Sequence, residues 1–179
     1  MGYKLIASDL DGTLFNKEGK ISEENFEAIK TLHDMGVFFV PTSGRSFGEM
    51  PKVLKDNPYI RYYIGSDGGT IYDKKTDTTH SLCLPRKLSH YVLDKFLEYP
   101  VNMMIHTDNN SYVDADIHTA DDYRTFNHSE NWIKFTFETN IPTKNFNEFA
   151  YTKDIEMFCT FFKNHDELLE CKDFFASHP

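Results

Sequence analysis

The sequence predicts an α/β fold with a parallel-sheet core, and three observations carry that prediction. An apolar run from Tyr3 to Ala7 is followed by Phe26, Ile29, Leu32 and Met35 at helical spacing, then by a second continuous run, Val37-Phe38-Phe39-Val40. Short uninterrupted apolar runs suit strands buried on both faces, and strand, helix, strand in that order implies a parallel pair joined by a right-handed crossover. A third run, Tyr62-Tyr63-Ile64-Gly65, extends the pattern before it changes character near Pro85.

The first strand leads into Asp9-Leu10-Asp11-Gly12-Thr13-Leu14. Alternation along a strand places Asp9 and Asp11 on one side and turns Leu10 back into the core, and Gly12 permits a sharp exit. Two carboxylates so close discourage each other's ionisation, which suits one nucleophile and one proton donor. After the polar stretch Asn16 to Lys20, Ser22-Glu23-Glu24 reads as a helix start, and Gly36 stands where that helix should stop. The second strand ends in Pro41-Thr42-Ser43-Gly44-Arg45-Ser46, and ligands of open α/β sheets gather at the carboxyl ends of strands. The Ser43 hydroxyl and the Gly44 N–H can donate to a phosphoryl oxygen. A helix over about residues 48–55 is predicted with Pro51 in its first turn. Next come the strand Tyr62 to Gly65, the turn Ser66-Asp67-Gly68-Gly69 and a hairpin of Thr70 to Asp73 with Thr78 to Leu84.

Beyond Pro85 the sequence predicts a helix from Ser89 to Leu97, strands from Val101 to His106 and Ser111 to Val113 about an Asp108-Asn109-Asn110 turn, a strand from Asp154 to Phe162 and a helix from Asp166 to Phe175. Trp132 to Phe137 fits either a half-exposed strand or a helix entry. The domain division expected is residues 1–84 and 85–179.

Asp9-x-Asp11-Gly12-Thr13, with Ser43-Gly44-Arg45 after the second strand, resembles the haloacid dehalogenase superfamily of phosphotransferases, and in particular its Cof-type (IIB) phosphatases. The resemblance implies a Rossmann-like core, incomplete in this chain and making up residues 1–84, with an inserted α+β cap over residues 85–179. It implies that Asp9 is the nucleophile that carries a transient aspartyl phosphate, and that Asp11 is the acid/base. It further implies phosphate binding by Leu10, Ser43, Gly44 and Arg45, and Mg²⁺ held by Asp9 and Asp11, the latter through its main-chain carbonyl. Where the subgroup carries Asn-Gly-Ala this chain has Asp67-Gly68-Gly69, so Asp67 is either a site residue or part of a strand-ending turn. A lysine and an acidic pair that the family places after the cap have no match before Pro179, so turnover by this chain is expected to be weak or nil. The substrate class implied is small phosphorylated metabolites such as sugar phosphates. A binding or regulatory module without catalysis is the alternative.

Composition bounds these readings. A formal charge of −9 argues against nucleic-acid or anionic-membrane partners, which need basic surfaces. No apolar run reaches bilayer length and no signal pattern precedes the first strand, so a cytoplasmic protein is expected. Cys83, Cys159 and Cys171 are odd in number and widely spaced, which suggests neither a disulfide framework nor structural zinc. A metal site from His106 with Asp108, or from Asp114, Asp116 and His118, has no defensible ligand spacing. The sequence carries no signal for an oligomeric state.

Overall fold

The computed structural model describes residues 2–16 and 18–177. Lys17, within the predicted polar stretch, and the last two residues of the predicted second domain lie outside the described residues. The chain divides into two compact units, Met1–Leu82 and Cys83–Pro179.

In the first unit β1 (Leu5–Ser8) and β2 (Phe38–Pro41) pair in parallel, with Leu5 opposite Phe38 and Ser8 opposite Pro41. The crossover is α1 (Glu23–Asp34), and the Ser22 hydroxyl accepts from the Asn25 N–H at 3.2 Å as the N-cap reading requires. Ile29 of α1 is buried against Leu10, Leu14, Phe39 and Tyr63. A parallel bridge from Thr42 to Ile64 links β2 to β3 (Tyr62–Gly65), and the Ser43 N–H donates to the Ile64 carbonyl at 3.0 Å. β4 (Thr70–Asp73) and β5 (Thr78–Ser81) then continue antiparallel. The carboxyl ends of β1, β2 and β3 therefore lie side by side, which is what positions the site.

Two expectations are corrected here. β1 is not buried on both faces: Leu5 is 49% and Ile6 39% exposed. Among the described residues β1 pairs with β2 alone, so its outer edge and much of its surface have no neighbour. The helix expected over residues 48–55 is reduced to α2 (Lys52–Lys55), with Pro51 as its N-cap. The preceding turn is held instead by buried Glu49, whose carboxylate accepts the Ser46 N–H at 2.7 Å.

The second unit holds a four-stranded sheet in the order β8-β7-β6-β9. β6 (Val101–Thr107) and β7 (Asn110–Asp114) form a hairpin whose turn residues Asp108 and Asn109 have φ of 52° and 65°. β9 (Met157–Phe162) is antiparallel to β6, and β8 (Ile141–Thr143) is parallel to β7. One face packs Met103 and Ile105 against Leu93 of α3 (Arg86–Phe96) and Phe146 and Ala150 of α6 (Phe146–Thr152). α7 is His165–Ser177. The ambiguous stretch at Trp132 is helical, within α5 (Glu130–Thr139), because the Ser129 hydroxyl caps it through the Trp132 N–H at 3.3 Å. α4 (Ala120–Thr125), β8 and α6 were not anticipated, although Thr119 and Asp122 form a reciprocal capping box that the sequence displays.

Candidate active site

The site is assembled by one wide turn and two loops. After β1, Asp9 is extended (φ −64°, ψ 160°), and the chain swings through residues Leu10–Leu14 with the Leu14 N–H donating to the Asp9 carbonyl at 3.3 Å and the Phe15 N–H to the Leu10 carbonyl at 2.9 Å. Gly12 sits at φ 83°, a left-handed value that a side chain would oppose. Leu10 and Leu14 are buried and pin the turn to the core, while Asp9 and Asp11 stay exposed. Leu10 is turned into the core as expected, but this stretch is a turn and not strand, and of the two carboxylates only Asp9 lines the cleft described below. The Thr13 hydroxyl donates to Asp9 Oδ2 at 3.1 Å and orients that carboxylate.

From β2, Ser43 reaches the same place. Its Oγ accepts from the Arg45 N–H at 3.3 Å and keeps its own proton to donate outward. Gly44 follows, beside the Asp67 side chain: a Cβ here would stand 3.0 Å from Asp67 Oδ1, so the carboxylate would have to move by a few tenths of an ångström to admit one. From β3, Ser66 and Asp67 both have φ of 51° and Gly68 has 97°, three left-handed residues in succession. Two main-chain bonds tie this turn to the β2 loop, Ser66 N–H to the Arg45 carbonyl at 2.9 Å and Asp67 N–H to the Ser43 carbonyl at 3.2 Å. Beneath it, Tyr63 is buried and donates its hydroxyl to the Leu54 carbonyl at 2.6 Å, and burial holds that phenol ionised only far above its ordinary range.

Ser8, Asp9, Thr42, Ser43, Gly44 and Asp67 line an open cleft of about 420 Å³. Of the predicted residues, Asp9, Ser43 and Gly44 thus meet on one surface. Leu10 and Asp11 are not among the lining residues, and the Leu10 side chain is in the core. Arg45 does not line the cleft; its Nε and Nη2 donate to the two Asp11 carboxylate oxygens at 2.9 and 2.8 Å, and its Nη1 donates to the Glu49 carbonyl at 3.4 Å. The bidentate pair fixes Asp11 and offsets the repulsion expected between Asp11 and Asp9. Sequence reasoning missed this clamp, the Thr13 bond and buried Glu49, for which spacing gave no signal, and left Asp67 undecided.

The Asp9 carboxylate and the Asp11 carbonyl are hard oxygen donors of the kind Mg²⁺ takes, with water and substrate oxygens filling an octahedron. Among the described residues no group of three or more His, Cys, Asp or Glu could hold a metal, so these oxygens fit part of a Mg²⁺ shell and no more. Of the histidines weighed as ligands, His118 Nδ1 meets the Tyr123 hydroxyl at 2.5 Å, and His106 is buried on β6, where burial lowers its pKa to about 4.

Known proteins resemble this chain in sequence and in fold. The chain is 28% identical over 177 residues to a putative phosphatase of Buchnera aphidicola subsp. Baizongia pistaciae, covering 98% of this chain and 62% of that protein. It is 34% identical over 105 residues to a 5-amino-6-(5-phospho-D-ribitylamino)uracil phosphatase of Bacillus subtilis, covering 59% of this chain and 36% of that one. A solved subclass IIB sugar phosphatase superposes with a TM-score of 0.70 at 19% identity, over 94% of this chain and 62% of that chain. A Thermotoga maritima structure gives 0.71 at 18% identity, over 99% and 62%. The chain therefore spans less than two thirds of the length of these relatives. A family model described as haloacid dehalogenase-like hydrolase matches residues 6–179, and the chain belongs to that family.

Proposed function

We propose that this chain carries the nucleophile half of a phosphomonoester hydrolase acting on small phosphorylated metabolites such as sugar phosphates. The observation that supports it most is the meeting of Asp9 with Ser43 and Gly44 on one cleft at adjacent strand ends. Asp9 forms a bond to phosphorus as the ester oxygen leaves, and Asp11 gives that oxygen a proton. Water then attacks the aspartyl phosphate, Asp11 takes the proton back, and orthophosphate departs with Asp9 restored. The Ser43 hydroxyl and the Gly44 N–H hold phosphoryl oxygens in line with Asp9, which is most of what phosphoryl transfer asks of a protein. Thr13 keeps Asp9 in one orientation; Arg45 holds Asp11 through both carboxylate oxygens, and one of those bonds must open for Asp11 to carry the proton it donates. Asp9 and the Asp11 carbonyl are the residues to hold Mg²⁺, which when bound neutralises charge between phosphate and nucleophile.

On this reading the Met1–Leu82 unit is part of the catalytic core, and the Cys83–Pro179 unit is part of a cap that selects the leaving group. A substrate class of this kind supports a cytoplasmic protein; separately, no helix among the described residues is long and apolar enough to cross a membrane. The test is Mg²⁺-dependent hydrolysis of p-nitrophenyl phosphate by this chain and by the longest reading frame that contains it. Asp9→Asn is expected to abolish turnover in whichever form has it; turnover that survives the change ends the proposal. Both Asp11 oxygens being held by Arg45 favours the second reading, a phosphate-binding module without catalysis. In that case orthophosphate binding persists in both forms and neither turns over.

A further inference from the structure

We propose that Asp67 is a specificity-determining residue of the phosphoryl cleft, which selects esters carrying a hydroxyl or ammonium group beside the phosphate and disfavours a bare phosphate dianion. The inference rests on the phosphatase reading above and goes beyond it by giving this site a class of leaving group. Asp67 lines the cleft with Asp9, Ser43 and Gly44. Its backbone is held in two ways. The backbone from Ser66 to Gly68 is left-handed throughout, a conformation that costs free energy at non-glycine residues and persists only where surrounding structure imposes it. The Asp67 N–H is bound to the Ser43 carbonyl at 3.2 Å. That backbone carries the carboxylate to a place beside Gly44, where a Cβ on residue 44 would meet Oδ1 at 3.0 Å.

The consequence is electrostatic. Gly44 is the residue whose N–H is to hold a phosphoryl oxygen, and an acceptor-only carboxylate lies in contact with that same residue. An ionised Asp67 repels a phosphate oxygen bound there and has no proton to offer it. What complements the carboxylate is a donor on the substrate, a hydroxyl or a protonated amine, through a charge-assisted hydrogen bond. The resembled subgroup carries the neutral isostere Asn at this point, so the difference is a charge and not a shape.

Affinities of this chain for orthophosphate, phenyl phosphate and glycerol 1-phosphate, measured by calorimetry at neutral pH, test the assignment. Asn and Gly both suit the left-handed backbone, so Asp67→Asn and Asp67→Gly retain the fold. Asp67→Asn is expected to tighten orthophosphate and phenyl phosphate by about tenfold through loss of the repulsion. Wild type is expected to prefer glycerol 1-phosphate to phenyl phosphate by at least about threefold, and Asp67→Gly to erase the preference, since the charged acceptor is gone. Orthophosphate affinity unchanged in Asp67→Asn but weakened in Ser43→Ala overturns the role of Asp67 and leaves the phosphatase reading standing. Absence of binding by all three compounds in wild type and Asp67→Asn overturns both.

Discussion

Two strands of similar apolar character, β1 in the first unit and β6 in the second, meet opposite fates. β6 runs between β7 and β9 with helices α3 and α6 against one face, and Ile105 at its centre is fully buried. β1 ends its sheet among the described residues and leaves Leu5 and Ile6 substantially exposed, yet the chemical groups cluster at its tip. Burial of an apolar run is decided by how many neighbours the sheet supplies, not by the run itself. The first unit is organised at one end, where three loops interlock, and is unfinished along one edge. The second encloses its central strand between two neighbours, with helices against one face.

Ile105→Ala in β6 is expected to cost about 3 to 4 kcal/mol, a full transfer-plus-cavity loss, whereas Ile6→Ala in β1 costs under about 1 kcal/mol. Denaturant unfolding followed at Trp132, the single tryptophan, reads the first, and circular dichroism reads both. Equal costs would mean that β1 is covered in solution and would break the comparison.

The next effect is pH-dependent and belongs to the second unit. Burial lowers the pKa of His106 to about 4 against 6.5 for the free group. The unfolded chain therefore binds a proton that the folded one refuses, so stability is complete above about pH 6.5 and is lost as pH falls toward 4. The loss should approach about 2 to 3 kcal/mol. His128, also lowered to about 4 by burial, stacks on Trp132 at 3.8 Å, so Trp132 fluorescence should titrate with that midpoint. A midpoint near 6.5 would show that the layer is open to water.

Smaller still is Arg45→Met. The pair with Asp11 is partly exposed, so unfolding stability should change by less than about 1 kcal/mol. Turnover, in whichever form of the protein hydrolyses p-nitrophenyl phosphate, should fall about tenfold because Asp11 is no longer held. Unchanged turnover would show that the clamp is incidental to the chemistry. Ile6→Ser is the mildest change, expected to leave the unfolding midpoint nearly in place while raising solubility, as removal of exposed apolar surface should. Static light scattering checks it, and unaltered association would mean the edge is not sticky.

Much of this was legible in the chain. The crossover helix was readable because Ser22, the helical period and Gly36 agree with one another, and such agreement leaves few alternatives. Asp9, Ser43 and Gly44 were readable because strand ends dictate where loops converge. The helix at residues 48–55 was overestimated because Pro51 withholds an N–H and Glu49 is used by the loop. α4, β8 and α6 escaped because segments this short depend on the surfaces they cover more than on their own period. Arg45 was expected at phosphate and is bound to Asp11, since a guanidinium goes to the carboxylate that folding brings nearest, and linear spacing does not report that partner.

Local physics, then, was enough to set the parallel strand–helix–strand unit, the acidic turn with its glycine, and the hydroxyl–glycine loop: each depends on residues adjacent in the chain. Tertiary structure alone decided that Arg45 clamps Asp11, that Asp67 lies beside Gly44, and that β1 lies bare while β6 is enclosed. Those outcomes depend on which distant groups arrive within a few ångströms of one another, a matter of packing between elements that no single stretch of sequence encodes.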